Sequence, residues 1–334
     1  MFYFLLFVTL MKPIQGIEKF HVESTTVEQR TGRFHLNFSF DKTNSEHNYH
    51  YIGRQSPEFG SVGLDHPRGV VADDQGNVYI ADTSNHRIQK YDSTGDFVSS
   101  WGSAGSGNEE FNLPAGLAIY KSVLYIADQN NNRIQRTDLD GNFLEALGSP
   151  TCSDFAGPRD ISFDHQGNMY VAEIEGQRVQ KLDENGNHLT FFNKGCPSPG
   201  KLRGNSCEVS SVAIDSNDNV YATYMNHKLV KYSSSGDVLA TIDFTEGTPI
   251  GIAVDSEDNI FVVDSVRNKV LIYDASLKRI GSFGVFSNPG YVSIAKDDHI
   301  YIANSDQNHV EKFFMGPRAI GDFNQKQARE SLSR

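Results

Sequence analysis

Asp82, Asp128, Glu173, Tyr224, Asp264 and Asn304 recur at one point of a phrase repeated along the 334-residue chain. Most carry a carboxylate, and hard cations want several oxygen ligands, so a ring of them would suit a cation site. Each is followed four or five residues later by Arg87, Arg133, Arg178, Lys228, Lys269 or His309. An acid and a base that recur together in every unit describe a loop clasp, because a single reactive centre breaks symmetry rather than repeating. The clasp is therefore the expectation.

The positions that do break symmetry are Arg68, Ala115, Arg159, Ser210, Ile250 and Gly290, each one residue after a recurring register position. Two arginines there can hold a carboxylate or phosphate. They can also pair with the acidic ring, which is the favoured expectation. His66, His86, His227 and His309 are imidazoles of the kind that bind zinc, but they are spread over three units. Cys152, Cys196 and Cys207 are the chain's three cysteines, with no C-x-x-C spacing. Cys196 and Cys207 bracket a Pro- and Gly-rich loop and are a candidate disulfide; Cys152 pairing with either one stays open.

These residues are positioned by a repeat. Gly76–Asp92 reads GNVYIADTSNHRIQKYD, Leu124–Asp138 reads LYIADQNNNRIQRTD, and Gly167–Asp183 reads GNMYVAEIEGQRVQKLD. Further copies lie at 219–232, 259–274 and 299–313. One unit contains four short apolar runs, 69–72, 78–81, 87–91 and 97–101, punctuated by Gly, Asp, Asn and Ser. That alternation is the hairpin pattern. Four strands in a unit of roughly 40–45 residues make a propeller blade. Register positions Pro67, Pro114, Pro158, Val209, Pro249 and Pro289 begin six such units. The last unit lacks a fourth strand, and Tyr49–Gly53 has the character of the missing piece. The expected fold is all-β, a six-bladed propeller of four-stranded antiparallel blades, closed by an N-terminal strand.

The phrases GNVYIADTSNHRIQKYD and LYIADQNNNRIQRTD, each preceded by Pro and a GVV- or GLA-like strand, resemble NHL repeats. The resemblance covers about residues 48–314 and departs in the fourth unit, at Val209 and Tyr224. It implies a six-bladed propeller. It implies less about activity, since the fold hosts binding modules and enzymes. Peptidyl-hydroxyglycine lyases resemble this chain, but their zinc histidines follow the register Pro, and no Pro-His dipeptide occurs here. Calcium-dependent lactonase-like propellers use a Glu, Asn and Asp set that finds no residue-by-residue match. Tripartite-motif proteins place the same propeller after RING and B-box segments, for which residues before 48 offer no cysteine pattern.

With 30 Lys and Arg against 42 Asp and Glu, the formal charge is −12. That weighs against nucleic-acid binding driven by phosphate neutralisation. No P-loop, G-x-S-x-G or H-E-x-x-H motif is present. Phe2–Leu10 is an apolar run of nine residues, too short at about 1.5 Å per residue to cross about 30 Å of hydrocarbon. It reads as a secretory h-region. The expected organisation is a signal peptide over 1–16, an extension with one strand over 17–47, the propeller over 48–314 and a polar tail over 315–334. Ile17–Thr31 is expected to be loose. Phe34–Phe40 alternates as a half-buried strand and is expected to pair with Tyr49–Ile52.

Variable loops on a rigid scaffold are where binding resides. The expected function is a secreted or surface binding scaffold without catalysis, monomeric, taking a protein, peptide or glycan on its top face. The contact residues expected are Arg68, Arg159, Glu109, Phe111, Lys201, Arg203, His227 and Arg267. No cofactor is expected, since neither calcium nor zinc has a motif to support it. The competing readings are a metal-dependent secreted enzyme of lyase or lactonase type and an RNA-binding propeller.

Overall fold

The computed structural model describes residues 20–27, 34–40, 51–60, 62–148, 154–193, 207–284 and 286–316. Residues 1–49 and 50–334 form two separate units. In the first, Phe34–Phe40 is a strand as expected, but it pairs antiparallel with Phe20–Val27. The expected loose segment therefore holds a second strand, and a neighbour close in sequence is the cheaper partner because loop closure costs less. Tyr51 and Ile52 of the expected partner Tyr49–Ile52 belong instead to the strand Tyr51–Phe59, which is used elsewhere.

The second unit is a ring of six four-stranded antiparallel sheets among the described residues, five of them with their strands in chain order. Blade one contains Val70–Ala72, Val78–Asp82, Arg87–Tyr91 and Phe97–Trp101. Blades two to five span 114–148, 158–192, 209–243 and 249–283. Blade six joins Pro289–Ile294, His299–Asn304 and His309–Gly316 to Tyr51–Phe59, which lies antiparallel against the last of these. The closing strand is longer than the expected Tyr49–Gly53, because Gly53–Gln55 and Phe59 also pair with the third strand. Ring closure leaves no unpaired edge between the first and last blades.

Each blade runs from a buried inside to a solvated outside. The second strands are buried almost throughout, whereas the outermost strands are largely exposed. Short β-branched and aromatic runs suit the pleated, half-buried surface this requires. The apolar core is divided into six clusters, one between each pair of neighbouring blades. Tyr170, Phe192, Val212 and Tyr232, for example, lock blade three to blade four.

The turns that connect first and second strands repeat one geometry. Asp73, Asp164 and Asp215 each accept the backbone N–H four residues on, at 2.8 Å in all three. Their other oxygens accept the hydroxyls of Tyr79, Tyr170 and Tyr221 at 3.1, 3.1 and 3.0 Å. The turn carboxylate and the core tyrosine thus hold each other. In this setting Gly76 sits at φ +83°, a conformation that favours glycine.

Around the axis the innermost strands of successive blades lie side by side. Their closeness requires small residues. A Cβ at Gly116 would stand 2.6 Å from the Asp160 Cα.

Phe59 ties the closing strand to the core, with no exposed surface, edge-on to Tyr91 at 5.8 Å and beside Tyr301 at 5.9 Å. Phe59→Ala is expected to lower the unfolding free energy by about 3–5 kcal/mol, read as a shift in the urea midpoint.

Candidate functional site at the channel mouth

The acidic ring proves to be a set of clasps. The Nε of Arg87, Arg133 and Arg178 donates to Asp82, Asp128 and Glu173 at 2.7, 2.8 and 2.7 Å. The second oxygen of Asp82 and of Asp128 accepts a backbone N–H from the connector leading into the blade, Asp65 at 2.7 Å and Asn112 at 2.7 Å. Arg133 also donates to the carbonyls of Ser106 and Gly107, at 2.8 and 2.6 Å. The carboxylate therefore joins the second strand, the third strand and the incoming connector.

Three blades reach a similar end by different residues. In blade five Asp264 is held by Arg267 at 2.9 Å, not by Lys269, which is exposed. In blade four the Tyr224 and Tyr232 hydroxyls meet at 2.5 Å, and Lys228 turns to Asp243. In blade six Asn304 donates to Glu311, whose carboxylate also meets His309. Burial pushes the Glu173 carboxyl up to about 7, with Arg178 opposing the shift.

Because its acids are committed, the ring does not pair with Arg68 and Arg159. That favoured expectation is corrected. Arg159 is 9% exposed, and it touches the Tyr291 hydroxyl at 3.3 Å and the Met225 sulfur at 3.7 Å. Arg68 donates to the Gln129 side chain at 3.0 Å. Neither guanidinium has a carboxylate in ion-pair reach among the described residues. Burial lowers the Arg68 pKa, and so does the Arg159 guanidinium. The two cations feel each other, and Arg159 also acts on the carboxyl of Asp160, the next residue.

Tyr291 packs beside Arg159. Tyr291, from blade six, is 4% exposed and donates its hydroxyl to the Arg159 carbonyl at 3.0 Å, while the Ser210 carbonyl lies 3.5 Å away. One side chain thus spans to blades three and four. Ser210 is fully buried, and its hydroxyl has no hydrogen-bond partner among the described residues. Beside it the Ser211 hydroxyl donates to Asp160, which also accepts the Val212 N–H at 3.1 Å. Ser211 accepts the Ile252 N–H at 3.2 Å, so a polar chain runs through blades three, four and five. Burial pushes the Asp160 carboxyl up to about 7 despite these donors.

Sequence reasoning found the two arginines and missed Tyr291, Asp160, Ser210 as a contact, Gln129 and Met225. A trace existed one residue further along. The third register position is Gly69, Gly116 and Gly251 in three blades but Asp160, Ser211 and Tyr291 in the others.

The other expected contact residues are not gathered here. Phe111 has no exposed surface and packs over Gly102, so it belongs to the core and not to a contact surface. Glu109 is exposed, and its carboxylate accepts the Phe143 N–H at 3.3 Å. The His227 ring meets the Gly247 carbonyl at 2.6 Å. Arg267 is occupied by its clasp. Lys201, Arg203, Cys152 and Cys196 lie outside the described residues. Cys207 is buried and disulfide-bonded. Among the described residues, no group of three or more His, Cys, Asp or Glu is placed to hold a metal ion.

Residues 64–91 match the NHL repeat family. That match and the six four-stranded blades together support an NHL-repeat β-propeller. No curated protein matches it. Solved structures do, over about four fifths of this chain and at low identity. Catalytically inactive virginiamycin B lyase from Staphylococcus aureus with quinupristin is 16% identical, with a TM-score of 0.58 over 81% of this chain and 90% of that one. A gluconolactonase from Xanthomonas campestris is 13% identical, with a TM-score of 0.58 over 80% and 90%. A luciferin-regenerating enzyme is 13% identical, with a TM-score of 0.58 over 82% and 96%. At such identity the likeness is one of fold. It nonetheless corrects the expectation of a chain without catalysis, because several of the propellers that share this fold are enzymes.

Two outcomes test the geometry. Arg133→Ala strands a buried carboxylate and is expected to cost about 3–5 kcal/mol of stability, part of which Asp128→Asn in the same chain restores; urea titration reads both. Asp160 holds its proton more tightly folded than unfolded, so its contribution is full below about pH 4 and is lost as pH rises through about 7. Asp160→Asn, neutral throughout, is expected to flatten the fall in stability across that window in urea titrations at pH 4 to 8.

Proposed function

We propose that this propeller binds a ligand on its top face by seating an anionic group at the channel mouth, on Arg68 and Arg159. The observation that carries this is a buried guanidinium, Arg159, with no carboxylate partner among the described residues. Every acid at the ends of the second strands is committed to a clasp, so the unmatched charge sits where a ligand can supply the match. Buried charges are otherwise paired.

Of the protein, peptide or glycan ligands that the sequence suggests, those that present a carboxylate fit this mouth. Binding of this kind is the step that a scaffold and an enzyme of this architecture share. The disulfide at Cys207 supports a location in an oxidising compartment, such as a secreted or cell-surface protein. No helix among the described residues is long and apolar enough to cross a membrane.

Charge-assisted hydrogen bonds contribute about 1.5–3 kcal/mol each. Arg159→Ala is therefore expected to weaken acetate binding, followed by NMR shift titration of the full chain, by roughly tenfold or more. Arg68→Ala is expected to act in the same direction. Unchanged acetate affinity in both variants would overturn the assignment.

A further inference from the structure

The mouth is not equally polar all round, and its asymmetry describes the rest of the ligand. Resting on the anion-binding reading above, the geometry points to a carboxylate attached to an apolar body, an amphiphilic organic acid or an apolar-ended peptide terminus, rather than a phosphate.

Two rings of equivalent residues face the mouth. One is the position after each register residue, where Arg68, Arg159 and Ser210 lie. The other is the position after each clasp acid: Thr83, Gln129, Ile174, Met225, Ser265 and Ser305. The side-chain contacts tie the two rings together, because Arg68 of blade one reaches Gln129 of blade two and Arg159 of blade three reaches Met225 of blade four. In the second ring, Thr83, Ser265 and Ser305 turn their hydroxyls to the carbonyls of Pro114, Thr248 and Pro67, at 2.8, 3.4 and 2.8 Å. They are self-satisfied and belong to the scaffold. Gln129, Ile174 and Met225 are left, each partly exposed.

Blade order then divides the mouth. Arg68 and Gln129 occupy blades one and two. Ile174 and Met225, with the half-buried Ile250 from the first ring, occupy blades three, four and five. Arg159 stands at the junction, with its guanidinium against a thioether instead of an acid. A phosphate wants donors on all sides of its oxygens. Here donors come from one arc, and the opposite arc is hydrocarbon that a hydrated anion would leave uncovered. A planar carboxylate can face the arginines while its carbon chain lies on Ile174, Met225 and Ile250. Each methylene so covered leaves water for apolar surface.

The test uses the full chain and four probes: acetate, octanoate, inorganic phosphate and octanol, titrated by calorimetry and NMR shifts. Octanoate is expected to bind roughly tenfold to a hundredfold more tightly than acetate, as burial of two or three methylenes would give. Phosphate is expected to bind no better than acetate. Ile174→Thr, away from the arginines, should shrink the ratio of octanoate to acetate affinity while acetate affinity holds. Arg159→Gln should weaken both carboxylates; circular dichroism and the urea midpoint confirm that each variant is folded.

Acetate, phosphate and octanoate binding alike, all lost in Arg159→Gln, would overturn the apolar body and leave anion binding standing. Octanol binding as well as octanoate, with no effect of Arg159→Gln, would overturn the coupling of charge and chain. Binding of no probe would overturn both readings.

Discussion

The structure depends on a buried carboxylate at the end of the second strand. Asp128 shows it fully: one oxygen takes the Asn112 N–H, the other takes Arg133 and Asn131, and Arg133 goes on to the connector carbonyls. A carboxylate in the interior is costly unless its oxygens are satisfied. Satisfying them draws together the second strand, the third strand and the connector from the preceding blade. The charge thereby fixes where one blade ends and the next begins. The six apolar clusters then add their burial to a geometry already registered by these bonds.

That economy separates scaffold from function. Whatever repeats around the ring is used by the ring: the turn aspartates hold the core tyrosines, and the clasp acids hold the connectors. What fails to repeat is left at the axis, where the inner strands converge. Gly116 marks how tightly those strands approach. Blades three, four and six put Asp160, Ser211 and Tyr291 at that position instead of glycine, which brings polar groups and an aromatic ring to the axis. Arg68 and Arg159 are close enough there for one charge to lower the pKa of the other, and neither has a carboxylate in ion-pair reach among the described residues. A ring that has spent its carboxylates elsewhere presents a mouth suited to an anion, even though the chain as a whole is acidic.

Likeness of fold to a virginiamycin B lyase, a gluconolactonase and a luciferin-regenerating enzyme places this architecture among catalysts. The sequence reading inferred a lack of catalysis from missing motifs, above all the absent Pro-His pairs. That inference fails for a physical reason. A propeller assembles its axis from one or two residues per blade, so its reacting groups need not form a contiguous motif.

The sequence by itself determined the fold. Period, turn chemistry and the alternation of apolar runs specify six four-stranded blades, and a last unit one strand short specifies closure from the N-terminus. It also determined that the acids are clasps, since repetition is visible in one dimension. Only the tertiary structure decided which base holds which acid. Arg267 takes Asp264 in blade five although Lys269 has the regular spacing, because reach and direction count where spacing does not. Phe111 looked like a contact residue in a variable loop and proved to be core over Gly102. The mouth itself was half legible. Arg68 and Arg159 stood out, but Tyr291 reaches them across 132 residues of sequence. Only ring closure brings blade six opposite blade three.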